Sequence, residues 1–160
     1  RRPPRSTQSR SSAASDVYKR QGIEDFTRRL NKYFPVQWRL IAPPKNAASL
    51  NEHELKKEEA ELVLLQLQKD DYLVLLDERG RQLSSPELAA FLQQRANEST
   101  RQLVFLIGGA FGVDERIRQR ANFCWSFSKL VFPHMLIRLM LAEQLYRACT
   151  ILRNEKYHHS

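Results

Sequence analysis

From Gly22 onward the apolar residues fall alternately into helical and strand-like spacings. Ile23, Phe26, Leu30 and Phe34 recur at helical spacing, and Pro35 stops the run. Val36 to Leu40 alternates apolar and polar, as a half-buried strand does. Pro43-Pro44 marks a loop, and Asn51 with Glu54 predicts an N-cap pair for a helix reaching about Leu67. Tyr72 to Leu76 reads as a buried strand that closes in a turn at Asp77-Glu78-Arg79-Gly80. Ser84 with Glu87, and Pro86 in the first turn, open a further helix. Leu103 to Ile107 predicts a fully buried strand ending on Gly108-Gly109. A helix over Val113 to Ala121, a strand over Phe127 to Phe132 and a long apolar helix over Met135 to Leu152 complete the series. Strands alternating with helices predict an α/β domain with a mainly parallel sheet. In the last helix Leu136, Leu139, Met140, Leu145 and Ile151 cover much of the circumference, so it needs burial on more than one side. The core and a second copy of the chain would supply that burial.

Composition narrows the class. The chain has 160 residues, 42% hydrophobic and 28% charged, enough for one domain with a real core. No apolar run approaches the roughly 18 residues of a membrane span. Cys124 and Cys149 cannot make a disulfide scaffold, and no C-x-x-C pair suggests zinc. Both read as small buried apolar residues. These features predict a cytoplasmic protein with no metal and no membrane contact. The net charge of +8 points first to nucleic acid, but its distribution qualifies that. Residues 1–21 carry +5, residues 22–128 carry zero and residues 129–160 carry +3. The body is neutral, with a basic C-terminal end, so the charge does not form a wide basic face for gripping naked RNA. Residues 1–16 hold no large apolar side chain, so residues 1–21 are expected to be a disordered or artefactual leader. The stretch resembles translated sequencing-adapter read-through; a disordered RNA-binding arm is the alternative.

Candidate chemistry gathers where strands end. Open α/β sheets bind ligands beyond the carboxyl ends of their strands. Three such ends here are Leu75-Leu76-Asp77-Glu78-Arg79-Gly80, Ile107-Gly108-Gly109-Ala110-Phe111-Gly112 and the run from Ser126 to His134. The glycines allow close backbone approach, which a tight strand-to-helix turn explains equally well. No G-x-G-x-x-G and no Walker Lys-Ser/Thr occurs, which disfavours ordinary dinucleotide and nucleoside triphosphate sites.

Taken together, LLDERG at 75–80, LSSPELA at 83–89, FLIGGAFG at 105–112, SFSKLVFPH at 126–134, LAEQLYRA at 141–148 and NEKYHH at 154–159 resemble the RlmH family of SPOUT-class methyltransferases. The resemblance runs from about Gly22 to the C-terminus. It implies an α/β fold with a C-terminal trefoil knot and a homodimer. It further implies transfer of a methyl group from S-adenosylmethionine to N3 of a pseudouridine in 23S rRNA. The implied cofactor contacts are Leu76, Gly108, Phe127, Ser128, Lys129, Leu130, Val131 and Phe132. Members of the family begin with a short apolar strand and a Gly-Lys turn, and here the leader stands in that place. The first strand is therefore expected to be missing or replaced. The rivals are a non-catalytic ribosome-binding module of the same fold and a SPOUT methyltransferase acting on tRNA.

Removal of the N3 proton would be helped by a base within reach. His134 is the best-placed titratable residue, either as that base or as a helix-start residue with a structural hydrogen bond. The tail from 154 reads on composition alone as frayed. The resemblance instead gives Tyr157 a stacking role and His158 a role in hydrogen bonding or proton removal. Arg138, Arg147, Arg153 and Lys156 are the candidate phosphate contacts. Arg138 and Arg147 do not share a helical face, so one of them is expected to pair with Glu143. His53, on a charged helix, reads as solvated surface.

Overall fold

A computed structural model describes the backbone of residues 5–108 and 112–159 and the side chains of residues 15–108 and 112–159. The chain divides into two units, Gln37–Val131 and the pair of segments Arg1–Val36 and Phe132–Ser160, and each is described by itself.

The first unit is built on a parallel sheet. Strand β1 spans Tyr72–Gln82, β2 Leu103–Ile107 and β3 Phe123–Ser126, in the order β2-β1-β3. Helices α2 (Glu52–Gln66), α3 (Ser85–Asn97) and α4 (Glu115–Arg120) connect and cover them. β1 lies in the middle, and Leu73, Val74 and Leu75 are almost wholly buried. Consecutive burial of this kind is the mark of a parallel strand covered on both faces. On one face Leu75 meets Ala60 of α2 and Ile117 of α4. On the other, Phe91 of α3 packs on Tyr72 and Phe123.

Several expected elements form where the sequence placed them, because their caps are local. The Asn51 side chain accepts the Glu54 N–H to start α2. Ser84 and Glu87 form a reciprocal capping box at the start of α3. Asp114 caps α4, which is shorter than the helix expected over 113–121.

Four expectations are corrected. Val36 to Leu40 is not a strand: no described strand lies beside it, and Leu40 is three-quarters exposed. β2 is half-buried throughout and not fully buried, because it is an edge strand. The last strand is Phe123–Ser126, and 127–133 has no ladder. There Ser126 Oγ donates to the Ser128 carbonyl and Ser128 Oγ accepts the Leu130 N–H, and such local bonds compete with a ladder. Residues 77–80 are not a closing turn. They bulge out of a continuing β1, so that Leu76 and Arg81 both stand opposite Trp125. Gly80 makes the bulge possible: a Cβ there would stand 2.7 Å from the backbone of Cys124 and Trp125.

The second unit pairs helix α1 (Arg5–Leu30) with helix α5 (His134–Leu152). The segment expected to be an unstructured leader is helical from Arg5, and the expected boundary at Gln21–Gly22 falls inside one helix. No Gly or Pro lies between Arg5 and Gln21, so extending a helix already seeded by packed Leu30 costs little per residue. On α5, Leu141, Ala142, Leu145, Ala148 and Cys149 are buried, while Leu136, Leu139, Met140 and Ile151 are half-buried.

Both α3 and α5 end in Schellman turns. Thr100 N–H bonds to the Arg95 carbonyl and Ser99 N–H to Ala96, with Ser99 at φ 56°. Glu155 N–H bonds to the Thr150 carbonyl and Asn154 N–H to Ile151, with Asn154 at φ 55°. Ser99→Gly should therefore stabilise the protein by about 1 kcal/mol, since it removes a left-handed penalty. Gly80→Ala should destabilise it by about 1–3 kcal/mol through overpacking against backbone. Urea unfolding midpoints of the two variants, moving in opposite directions, check both.

Candidate active site

In the sheet unit, parallel pairing sets Leu76 level with Ile107 on one side and Trp125 on the other. Leu76, Gly108 and Ser126-Phe127 thus emerge at the same edge of the sheet. This is the placement the strand-end reading requires. Gly108 has no Cβ to spare, because one would stand 2.8 Å from Val113 Cγ1. Phe127 packs edge-on against Trp125 at 4.7 Å, and Trp125 against Phe105 at 6.0 Å. Lys129, Leu130 and Val131 are exposed, the last two at 68% and 81%. Gly109, Ala110 and Phe111, which carry the rest of the second motif, lie outside the described residues.

Asp77, next to Leu76, anchors this edge. Arg118 Nη2 donates to its Oδ2 at 2.7 Å and the Arg79 N–H to its Oδ1 at 2.9 Å. Burial alone would raise the Asp77 carboxyl; the Arg79 bond and the Arg118 guanidinium outweigh it and hold the group below the usual carboxylate range. One buried polar atom here is left over. Trp125 is 3% exposed, and its Nε1–H has no acceptor among the described residues. Leaving such a donor unpaired costs on the order of 1–3 kcal/mol. An edge with half-buried Leu76 and Gly108 and exposed Leu130 and Val131 offers apolar contact to a ligand with a flat apolar ring.

In the helical unit His134 is the exposed first residue of α5, and Phe132 is half-buried. The C-terminal tail is not frayed. After the Schellman turn it lies against α5, held by Glu143 and Arg147. Glu143 Oε1 accepts Arg147 Nε at 2.9 Å, Arg147 Nη2 at 2.5 Å and the Tyr157 hydroxyl at 3.2 Å. The third guanidinium nitrogen, Arg147 Nη1, lies 3.2 Å from His158 Nδ1. The same guanidinium stacks 4.8 Å over the Tyr157 ring, whose edge meets Tyr146 at 4.8 Å. Arg147 is thus the residue that pairs with Glu143, and its donors are engaged inside the protein. Arg138 is half-buried near Met135, whereas Arg153 and Lys156 are exposed, Arg153 stacking on Tyr33 at 4.8 Å. Tyr33 donates to Glu155 Oε2 at 2.7 Å and ties α1 to the tail.

Sequence reasoning missed Trp125, Arg118, Tyr33 and Tyr146. Asp77 and Arg118 are 41 positions apart, with no local signal of their pairing. Glu143 and Arg147 had one, their i,i+4 spacing. Cys149 is buried as read, whereas Cys124 is half-buried; burial pushes the Cys149 thiol up to about 11 and raises that of Cys124. Among the described residues no cluster of His, Cys, Asp or Glu could hold a metal ion, and no helix is long and apolar enough to cross a membrane.

The model of the family described as "Predicted SPOUT methyltransferase" matches residues 12–158. The chain belongs to this family. Its relatives include proteins named ribosomal RNA large subunit methyltransferase H. That of Cytophaga hutchinsonii is 43% identical over 145 residues, covering 91% of this chain and 93% of its own length. That of Parabacteroides distasonis is 41% identical over 139 residues, 87% and 88% of the two chains. That of Geobacter metallireducens is 42% identical over 141 residues, 88% and 90%. The family match begins at residue 12, inside α1.

Two tyrosines bracket the tail, and both phenols are shifted upward. Burial, then the Glu155 bond and charge, push Tyr33 up to about 12. Burial, then the Glu143 charge and hydrogen bond, raise Tyr157. Tyr33 should therefore ionise near pH 12 when tyrosinate absorbance is titrated. A raised pKa favours the protonated fold. The contribution of Tyr33 to stability is then complete below about pH 10 and is lost as pH rises toward 12. Tyr33→Phe should remove the titration step near pH 12 and flatten that decline.

Proposed function

We propose that this methyltransferase carries a methyl group from S-adenosylmethionine to N3 of a pseudouridine in 23S rRNA of the large ribosomal subunit. Family membership and the curated relatives support the reaction class, and one observation carries the reading of the site. Leu76 at the bulge of β1, Gly108 just after β2 and Phe127 just after β3 stand at nearly one level of the parallel sheet, beside the exposed apolar Leu130 and Val131. S-adenosylmethionine supplies an activated methyl group on a sulfonium centre. Leu76, Gly108, Phe127, Ser128, Lys129, Leu130, Val131 and Phe132 are the residues that would hold it, the backbone reading the adenine edge and the apolar side chains sandwiching its ring.

The tail supplies the substrate side. Tyr157 stacks on the target base and His158 hydrogen-bonds it, while Arg153, Lys156 and Arg138 meet phosphate. His134, exposed at the start of α5, stands ready as a further polar contact. The half-buried apolar residues of α5 suit burial in a homodimer, and the trefoil knot and a cytoplasmic setting belong to the same reading.

Two results test this. Leu130→Asp and Val131→Asp should each weaken S-adenosylmethionine binding by calorimetry about tenfold or more, the expected loss of a buried aliphatic contact. Their melting temperatures should not change, since both side chains are exposed. Truncation after Arg153 should leave cofactor affinity intact and lower methyl transfer to unmodified ribosomes by about 10²-fold or more. Full turnover by the truncated chain would remove the tail from the mechanism.

A further inference from the structure

The protonation pattern of the tail follows from its partners. A guanidinium has five N–H donors and no lone pair. The Arg147 Nη1 contact at 3.2 Å therefore requires His158 Nδ1 to accept. An accepting Nδ1 carries no proton, and a neutral imidazole then holds its proton on Nε2. We infer that His158 acts on the substrate as a neutral Nε2–H donor, fixed in that tautomer by Arg147 as a positioning residue, and does not act as a proton acceptor. This rests on the tail being the substrate-facing segment.

Arg147 is well placed to impose the tautomer. Two of its nitrogens are bound to Glu143 Oε1 and its plane lies over Tyr157, so it cannot swing away without breaking three contacts. Both oxygens of Glu143 are engaged within the protein, the other accepting Gln144 Nε2 at 2.8 Å. Tyr157 offers no base either, because its hydroxyl proton is given to Glu143 and the phenol is shifted upward. The charged and titratable groups gathered here are Glu143, Tyr146 and Arg147 from α5, Arg29 from α1 over the Tyr146 ring, and Tyr157 and His159 of the tail.

A donor at Nε2 suits a uracil-type ring, whose N3 lies between two carbonyls. Bonding to one of them stabilises the imidate formed when N3 loses its proton to water. The N3 electron pair then forms the bond to the methyl carbon as the S–CH3 bond breaks, leaving a neutral thioether.

The test uses the full chain labelled with 15N in its histidine rings, of which there are four, with His158 assigned through His158→Gln. Long-range ring correlation spectra should show His158 Nδ1 as unprotonated and Nε2 as protonated. In Arg147→Met the two tautomers should mix. A protonated Nδ1 in the wild-type chain would overturn the inference. In ribosome assays His158→Gln, which keeps an N–H donor, should stay within about tenfold of wild type in kcat, the worth of one neutral hydrogen bond. His158→Glu, a base without a donor, should lose about 10²-fold or more. The reverse order would contradict the donor role. The ring spectra do not depend on turnover, so failure of the rRNA reading would show separately, as wild-type protein that transfers no methyl group.

Discussion

One carboxylate organises the functional end of this chain. Glu143 Oε1 gathers two nitrogens of Arg147 and the Tyr157 hydroxyl, and through Arg147 it reaches His158. Both charged side chains are about three-quarters or more buried, which separates this pair from the surface ion pairs on α1 and α2. Surface pairs contribute little, whereas a largely buried pair joined by two charge-assisted hydrogen bonds holds geometry. A tail that composition alone leaves frayed is thereby given a fixed course, beginning with the left-handed turn at Asn154. The charge of Arg147 is used inside the protein, and the exposed cations near the tail are Arg153 and Lys156.

The sheet unit shows the same economy of means at another place. Asp77 and Gly80 sit in one bulge of β1, the first held by Arg118 and the second pressed to the backbone of β3. The bulge fixes where Leu76 leaves the ladder, and the parallel register brings Gly108 and Phe127 to the same level. Apolar exposure at Leu130 and Val131 and the orphan Trp125 donor mark that edge as built for something other than its own stability.

What was legible in the sequence was local. Caps such as Asn51–Glu54 and Ser84–Glu87 sit a few residues apart, so the starts of α2 and α3 could be read directly. Strand identity depends on partners that are distant in sequence. Val36 to Leu40 has the right alternation and no described neighbour to pair with, and Phe127 to Phe132 is largely apolar, but Ser126 and Ser128 turn the backbone out of the ladder. The residues of the proposed cofactor edge were reached through ordered motifs, and their shared level became visible only with the register. The tail residues were named from resemblance; the hydrogen bonds that hold them cross from 143–147 to 157–158 and leave no spacing signature beyond the i,i+4 pair.

The central claim is that Glu143, through Arg147, orders the tail before any substrate arrives. Backbone amide order parameters for residues 155–159 in the ligand-free full chain test it directly, compared with Glu143→Gln. The account predicts values near 0.85 for the wild-type tail, typical of rigid backbone, falling below about 0.6 in the variant. A wild-type tail already below about 0.6, or a variant tail as rigid as the wild type, would contradict it.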